Sequence, residues 1–139
     1  MKRIMVDMSA TLIHHGHIRL LKKASEFGFV VVALTTDKEI INKKKFFPEL
    51  NFSEREEVLS AIKFVDEIVP SPWLIDLKFL DKHNIDLLVH GDDNSNPINP
   101  ERLLILPRTK GISSSLLRER SKASLKKIAD DLNRDNRKH

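Results

Sequence analysis

The sequence predicts an α/β fold, a single domain on a doubly wound parallel sheet of five strands. Three observations carry that prediction. Five short apolar segments alternate with segments of helical period, which gives a parallel sheet with helices on both faces. One of them, Phe29 to Leu34 (FVVVAL), is continuously apolar and β-branched, as expected of a central strand covered on both sides. The chain has 139 residues, with no internal repeat and no low-complexity linker, and that length suits one domain with a modest core.

The elements follow in order. Lys2 to Met8 (KRIMVDM) reads as a buried strand, and a helix follows from about His15 to Phe27, with Ile18, Leu20, Leu21 and Ala24 as its apolar stripe. Gly28 is placed to cap that helix. After the second strand, residues 35–52 read as a polar loop. The next helix is expected to start at Ser53, where Ser53 and Glu56 have the capping-box spacing. Val65 to Val69 is the third strand, punctuated by Pro70 and Pro72, and Trp73 to His83 the third helix. Asp86 to His90 and Arg102 to Leu106 are the fourth and fifth strands, and Ser113 to Arg120 opens a last helix. The domain is drawn at residues 1–121, and residues 122–139 form a basic helical or frayed tail.

Charge is unevenly distributed. Residues 1–116 hold 16 basic and 16 acidic side chains, while residues 117–139 hold eight and four, so the net +4 lies wholly in the last 23 residues. A basic balance raises nucleic acid as a partner, but the chain has no Tyr, one Trp and no aromatic after Phe79 to serve as a stacking platform. Zero cysteines exclude disulfides, thiolate catalysis and cysteine-based zinc sites. With no apolar run of membrane-spanning length and no signal-peptide core after Met1, the chain reads as soluble and cytoplasmic, without membrane insertion.

In a parallel sheet, ligands bind beyond the carboxyl ends of the strands, and the unusual residues fall in those loops. His14-His15-Gly16-His17 stands at a strand-to-helix transition, where helix amides favour phosphate and two imidazoles three positions apart can converge on one charge. Three close histidines also suit a metal, though no nearby carboxylate completes a facial site. Lys43-Lys44-Lys45 is either solvated surface or a clamp for a triphosphate. Gly91-Asp92-Asp93 follows a strand, and its carboxylates suit Mg²⁺, an amine or a plain turn. Arg108 to Ser115 (RTKGISSS) is a basic loop running into a serine-rich helix start, a second anion site in which at least one serine is an N-cap.

This order of HxGH, a lysine loop, the Glu54-Arg55 pair, Gly-Asp-Asp and R-T-x-G-I-S-S resembles the HxGH nucleotidyltransferase superfamily. The R-T-x-G-I-S segment narrows the resemblance to cytidylyltransferases, those of the glycerol-3-phosphate type most closely, over residues 3 to about 120. The resemblance implies a Rossmann-like fold and transfer of CMP from CTP, with Mg²⁺, to a small phosphorylated alcohol such as glycerol 3-phosphate. The CDP-alcohol would feed cell-surface polymer or capsule synthesis. His14 and His17 would contact the CTP phosphates and stabilise the transition state, and Lys43 and Lys45 would hold the triphosphate and the acceptor phosphate. Ser9, Ala10, Gly16, Asp93, Arg108, Thr109, Gly111, Ile112, Ser113 and Ser114 would line the nucleotide pocket. Arg55, Trp73 and Thr11 would face the acceptor, with a core anchor as the other reading of Trp73. No direct protein ligand to the metal is implied, and the partner expected is a second copy of the chain, not nucleic acid. An adenylyltransferase of the same fold remains an alternative. Two departures bear on the acceptor. Thr11 stands where the family pattern G-T-F-D has its aspartate, and the S-A-x-L-I-H and K-G-I-S-S-S stretches resemble cytidylyltransferase domains of phosphonate pathways.

Overall fold

The computed structural model describes residues 1–137. Strands β1 (Arg3–Met8), β2 (Phe29–Thr35), β3 (Glu67–Ser71), β4 (Leu87–Gly91) and β5 (Leu103–Leu106) form one sheet in the order β3-β2-β1-β4-β5. Every neighbouring pair is parallel; Val6 of β1 faces Val32 on one side and Val89 on the other. Helices α1 (His15–Ser25), α2 (Asp37–Lys44), α3 (Phe52–Ser60), α4 (Leu77–Lys82) and α5 (Ser114–Arg137) complete the domain. The doubly wound five-stranded sheet read from the sequence is the one observed.

Alternation along the central strands builds two cores. Ile4, Val6, Val30, Val32 and Leu34 pack with Leu21 and Ala24 of α1 and Leu59 of α3 on one face. Met5, Val31, Ala33 and Leu88 meet Ile75, Leu80 and Ile98 on the other. Each strand supplies both layers because successive side chains point to opposite faces, so near-continuous apolar runs are what the position demands.

Local boundaries differ from the sequence reading for physical reasons. Helix α1 ends at Ser25 with Glu26 as its cap, and Gly28 has another role: a Cβ there would lie 2.2 Å from the Lys2 carbonyl oxygen, the acceptor of the first β1–β2 bond from Phe29 N–H. Part of the expected loop 35–52 is helix α2, capped by the Thr36 hydroxyl. Helix α3 starts at Phe52, one residue before the expected Ser53, because Asn51 and Glu54 form the capping box and Ser53 lies inside the helix. Pro70 sits within β3, which is tolerated because β3 is an edge strand. Only Leu77–Lys82 of the expected 73–83 helix forms, with the Asp76 side chain as its cap. Arg102 closes a turn of 3₁₀ helix ahead of β5. Helix α5 runs unbroken through residue 121 to Arg137, and Lys138 and His139 of the expected tail lie outside the described residues. Among the described residues, no helix is long and apolar enough to cross a membrane.

Candidate active site

Strand order reverses at β1, whose neighbours β2 and β4 are reached by connections running opposite ways. A cavity of about 610 Å³ opens there, at the carboxyl ends of the strands, where Ser9 follows β1, Thr35 ends β2, Gly91 ends β4 and Pro107 follows β5. Of the residues expected to bind ligand, Ser9, Ala10, Thr11, His14, Gly16, His17, Trp73, Asp93, Arg108, Thr109, Ile112, Ser113 and Ser114 line it.

The two histidines fix each other. The His14 ring Nδ1 accepts from Gly16 N–H at 3.1 Å, and the His17 ring Nδ1 accepts from His14 N–H at 3.2 Å, a capping box built from imidazoles. Their centroids are 4.0 Å apart. Since both Nδ1 atoms accept, both neutral rings carry their proton on Nε2. Gly16 allows this fold-back, for a Cβ there would lie 2.8 Å from His14 Cε1. Burial, helped by His14 and Arg108, lowers the His17 pKa to about 3, and burial, His15 and Arg108 lower that of His14. The pair is therefore uncharged, and what it offers a charged ligand is two neutral N–H donors. In the first turn of α1 the Gly16 amide is already bound by His14.

The lysine loop resolves differently from its reading. Lys44 lines the cavity, with its ammonium 5.3 Å from the Trp73 ring centre, whereas Lys43 and Lys45 do not line it. Helical phase places Lys44 one turn after buried Ile40, on the face of α2 that meets the site, and turns Lys43 about 100° away. Lys45 is the left-handed cap of α2. In the serine-rich stretch, the Ser113 hydroxyl caps α5 by accepting from Leu116 N–H. Ser114 clamps the 9–14 loop, accepting from Leu12 N–H at 3.3 Å and donating to Leu12 C=O at 3.0 Å. Gly111, outside the lining, adopts φ +78° and turns the chain into α5.

Arg55 is the clearest correction. It does not line the cavity; it is fully buried beneath it. Its Nη1 donates to the carbonyls of Ser9 (2.7 Å) and Thr35 (2.8 Å), Nε to that of Leu50 (3.0 Å), and Nη2 to the Asp37 carboxylate (2.6 Å). With four donors committed, it ties the ends of β1 and β2 together under the site. Ser9 and Ala10 are held this way, Ala10 in a left-handed conformation at φ 48°.

Several site residues escaped the sequence reading. Arg118 of α5 reaches Thr11, Nη2 to Oγ1 at 2.6 Å, from 107 positions away. Asp7 binds His90 Nδ1 at 2.5 Å and accepts from the Asn96 amide at 3.0 Å, and His90 Nε2 lies 3.4 Å from Asp93. Asn96 in turn accepts from Ile75 N–H, which explains why it is buried. Burial alone would lower the His90 pKa, but the hydrogen bond and charge of Asp7, with Asp93, raise it.

The two shifts have opposite consequences for stability. His17, with its folded pKa near 3, makes stability fall as pH drops below about 6.5, because the unfolded chain takes up a proton that the fold refuses. His90 contributes stability fully below about 6.5, lost as pH rises through its raised folded pKa. Ring proton resonances are expected to show His90 titrating above that reference, and Asp7→Asn to bring it down. A His90 that titrates below it in the parent chain would contradict the geometry.

Among the described residues, no group of three His, Cys, Asp or Glu side chains is placed to hold a metal. Of the lining carboxylates, Asp7 is committed to His90 and Asn96, whereas Asp93 is 57% exposed and makes only 3.4 Å contacts, to Arg108 Nη1 and His90 Nε2. Comparison with known proteins agrees with the fold. Residues 9–120 match the family described as Cytidylyltransferase-like. The glycerol-3-phosphate cytidylyltransferase of Bacillus subtilis (strain 168) is 34% identical over 125 residues, covering 86% of this chain and 96% of that protein. The ethanolamine-phosphate cytidylyltransferase of Mus musculus is 41% identical over 93 residues, 66% of this chain, which spans only 23% of that protein. In fold, the lipopolysaccharide core biosynthesis protein from Thermoplasma volcanium GSS1 superposes with a TM-score of 0.68 at 19% identity, over 79% of this chain and 99% of that one. A strand-end cavity with paired imidazoles and a family match over most of its length agree: the chain belongs to the cytidylyltransferase-like family and is a nucleotidyltransferase.

Proposed function

We propose that the chain transfers CMP from CTP to a small phospho-alcohol, with glycerol 3-phosphate first among acceptors, giving CDP-glycerol and pyrophosphate. The observation that carries this reading is the pair of neutral imidazoles, 4.0 Å apart, with both Nδ1 atoms accepting and both Nε2–H groups left to donate. An oxygen of the acceptor phosphate attacks the α-phosphorus in line. The bond from that phosphorus to the bridging oxygen breaks, and pyrophosphate leaves with the electron pair. The acceptor is already an oxyanion, so no covalent enzyme intermediate is needed.

Catalysis is then positioning and charge stabilisation. His14 and His17 donate to phosphate oxygens as charge builds on them, and neutral donors do so without repelling Arg108 or Lys44. Arg108 and Lys44 meet the phosphates as cations, which moves the lysine role one position from Lys43 and Lys45. Mg²⁺ would neutralise triphosphate charge when bound. It commonly keeps several waters and takes one or two carboxylates, so exposed Asp93 is the side chain suited to hold it alongside the nucleotide. A phosphonate acceptor presents the same attacking oxygen and is the second reading, favoured by Thr11 at the aspartate position.

Pyrophosphate release with CTP and ATP in turn, each with glycerol 3-phosphate, tests the donor. Release is expected with CTP and not with ATP. Equal release from ATP would move the reading to adenylyl transfer.

A further inference from the structure

Beside Thr11 the cavity has an unusual charge arrangement. Thr11 is 4% exposed, and its hydroxyl accepts from Arg118. Arg118 Nε is held by the Glu49 carboxylate, and its guanidinium lies 4.5 Å from the Phe46 ring centre. These contacts fix the arginine at the cavity it lines; with one Nη2 N–H given to Thr11 and Nη1 making only a 3.5 Å contact to the Ser115 hydroxyl, it keeps N–H groups to donate. Among the described residues, no carboxylate is free here. Glu49 pairs with Arg118, and the lining carboxylates, Asp7 and Asp93, belong to the β4 side within reach of His90. The two aromatic rings that would stabilise an ammonium, Phe46 and Trp73, already carry protein cations, Arg118 and Lys44.

We propose that Arg118, docked on Thr11, sets acceptor selectivity. It receives the end of the acceptor remote from the reacting phosphate, favouring a hydroxyl or anionic group there and rejecting an ammonium. An arginine donates and never accepts, so it hydrogen-bonds a hydroxyl oxygen but repels a cation. This rests on the proposed cytidylyl transfer and sharpens its acceptor class.

Trp73 is the only tryptophan and lines the same cavity, so its fluorescence reports acceptor binding independently of turnover. The experiment titrates glycerol 3-phosphate and ethanolamine phosphate into the CTP-loaded protein, for the parent chain, Arg118→Gln, Arg118→Lys and Thr11→Asp. Pyrophosphate release is measured in parallel. The parent chain is expected to bind the hydroxyl-ended acceptor at least about tenfold more tightly than the ammonium-ended one, the scale of one charge-assisted hydrogen bond. Arg118→Gln removes most of that ratio and Arg118→Lys keeps part of it. Thr11→Asp collapses it by neutralising the arginine with both positions still polar. Equal affinities in the parent chain, no detectable binding of either acceptor, or a ratio unchanged in both Arg118→Gln and Thr11→Asp would overturn the inference. Selective binding without pyrophosphate release would instead overturn the reaction and leave the selectivity standing.

Discussion

His17→Ala is expected to lower kcat by roughly 10²–10³-fold with little change in the KM for CTP, the usual cost of one preorganised donor to a developing charge. His14→Asn should do the same. At position 14 alanine would also remove the α1 cap, worth about 1 kcal/mol, and so confuse stability with activity. Asparagine keeps an acceptor near the place of Nδ1 for the Gly16 amide while losing the reach of Nε2. The split between kcat and KM follows from geometry. The Nδ1 atoms are committed inside the capping box, so the Nε2–H groups are what the pair can offer a ligand. Their effect is greatest where negative charge grows. Steady-state kinetics with varied CTP would check it, and near-normal turnover in both variants would sink the assignment.

The second large effect is structural. Arg55→Met is expected to destabilise the fold by about 3–5 kcal/mol, read as a fall in the midpoint of urea unfolding. The substitution strands three backbone carbonyls, those of Ser9, Thr35 and Leu50, and leaves Asp37 without its charged partner. Asp37 is partly exposed and water recovers some of that loss, so the carbonyls dominate. Arg55→Lys keeps the charge but cannot fork to four acceptors, and should fall between the two. Because Ser9 and Thr35 border the cavity, Arg55→Met protein that remains folded should bind CTP more weakly. Unchanged stability in Arg55→Met would mean that the buried guanidinium does not tie the strand ends.

What could be read in advance follows from range. The strands were legible because a sheet covered on both faces demands apolar runs, and His14 with His17 because their pairing lies within one helical turn. Helix α2 was hidden: DKEIINKK buries only Ile40, so its charges mask any stripe. Without that helix there was no phase, and phase is what selects Lys44 over Lys43. The start of α3 was ambiguous because Asn51 with Glu54 and Ser53 with Glu56 have the same spacing, and the choice depends on Asp37 accepting from Phe52 N–H. Asp7 with His90 and Thr11 with Arg118 join residues 83 and 107 positions apart, and no local pattern encodes such pairs. Arg118 also changes the meaning of the charge excess in residues 117–139, part of which belongs to the site. The Arg55 role failed for a related reason: a motif places an arginine near a site without saying which side of the strand ends it serves.

The central claim is most directly tested by phosphorus NMR of CTP incubated with the protein, Mg²⁺ and glycerol 3-phosphate. The account predicts new diphosphate-ester resonances of CDP-glycerol appearing with an equal amount of pyrophosphate. CTP that stays unchanged, or that breaks down without forming a diphosphate ester, would contradict it.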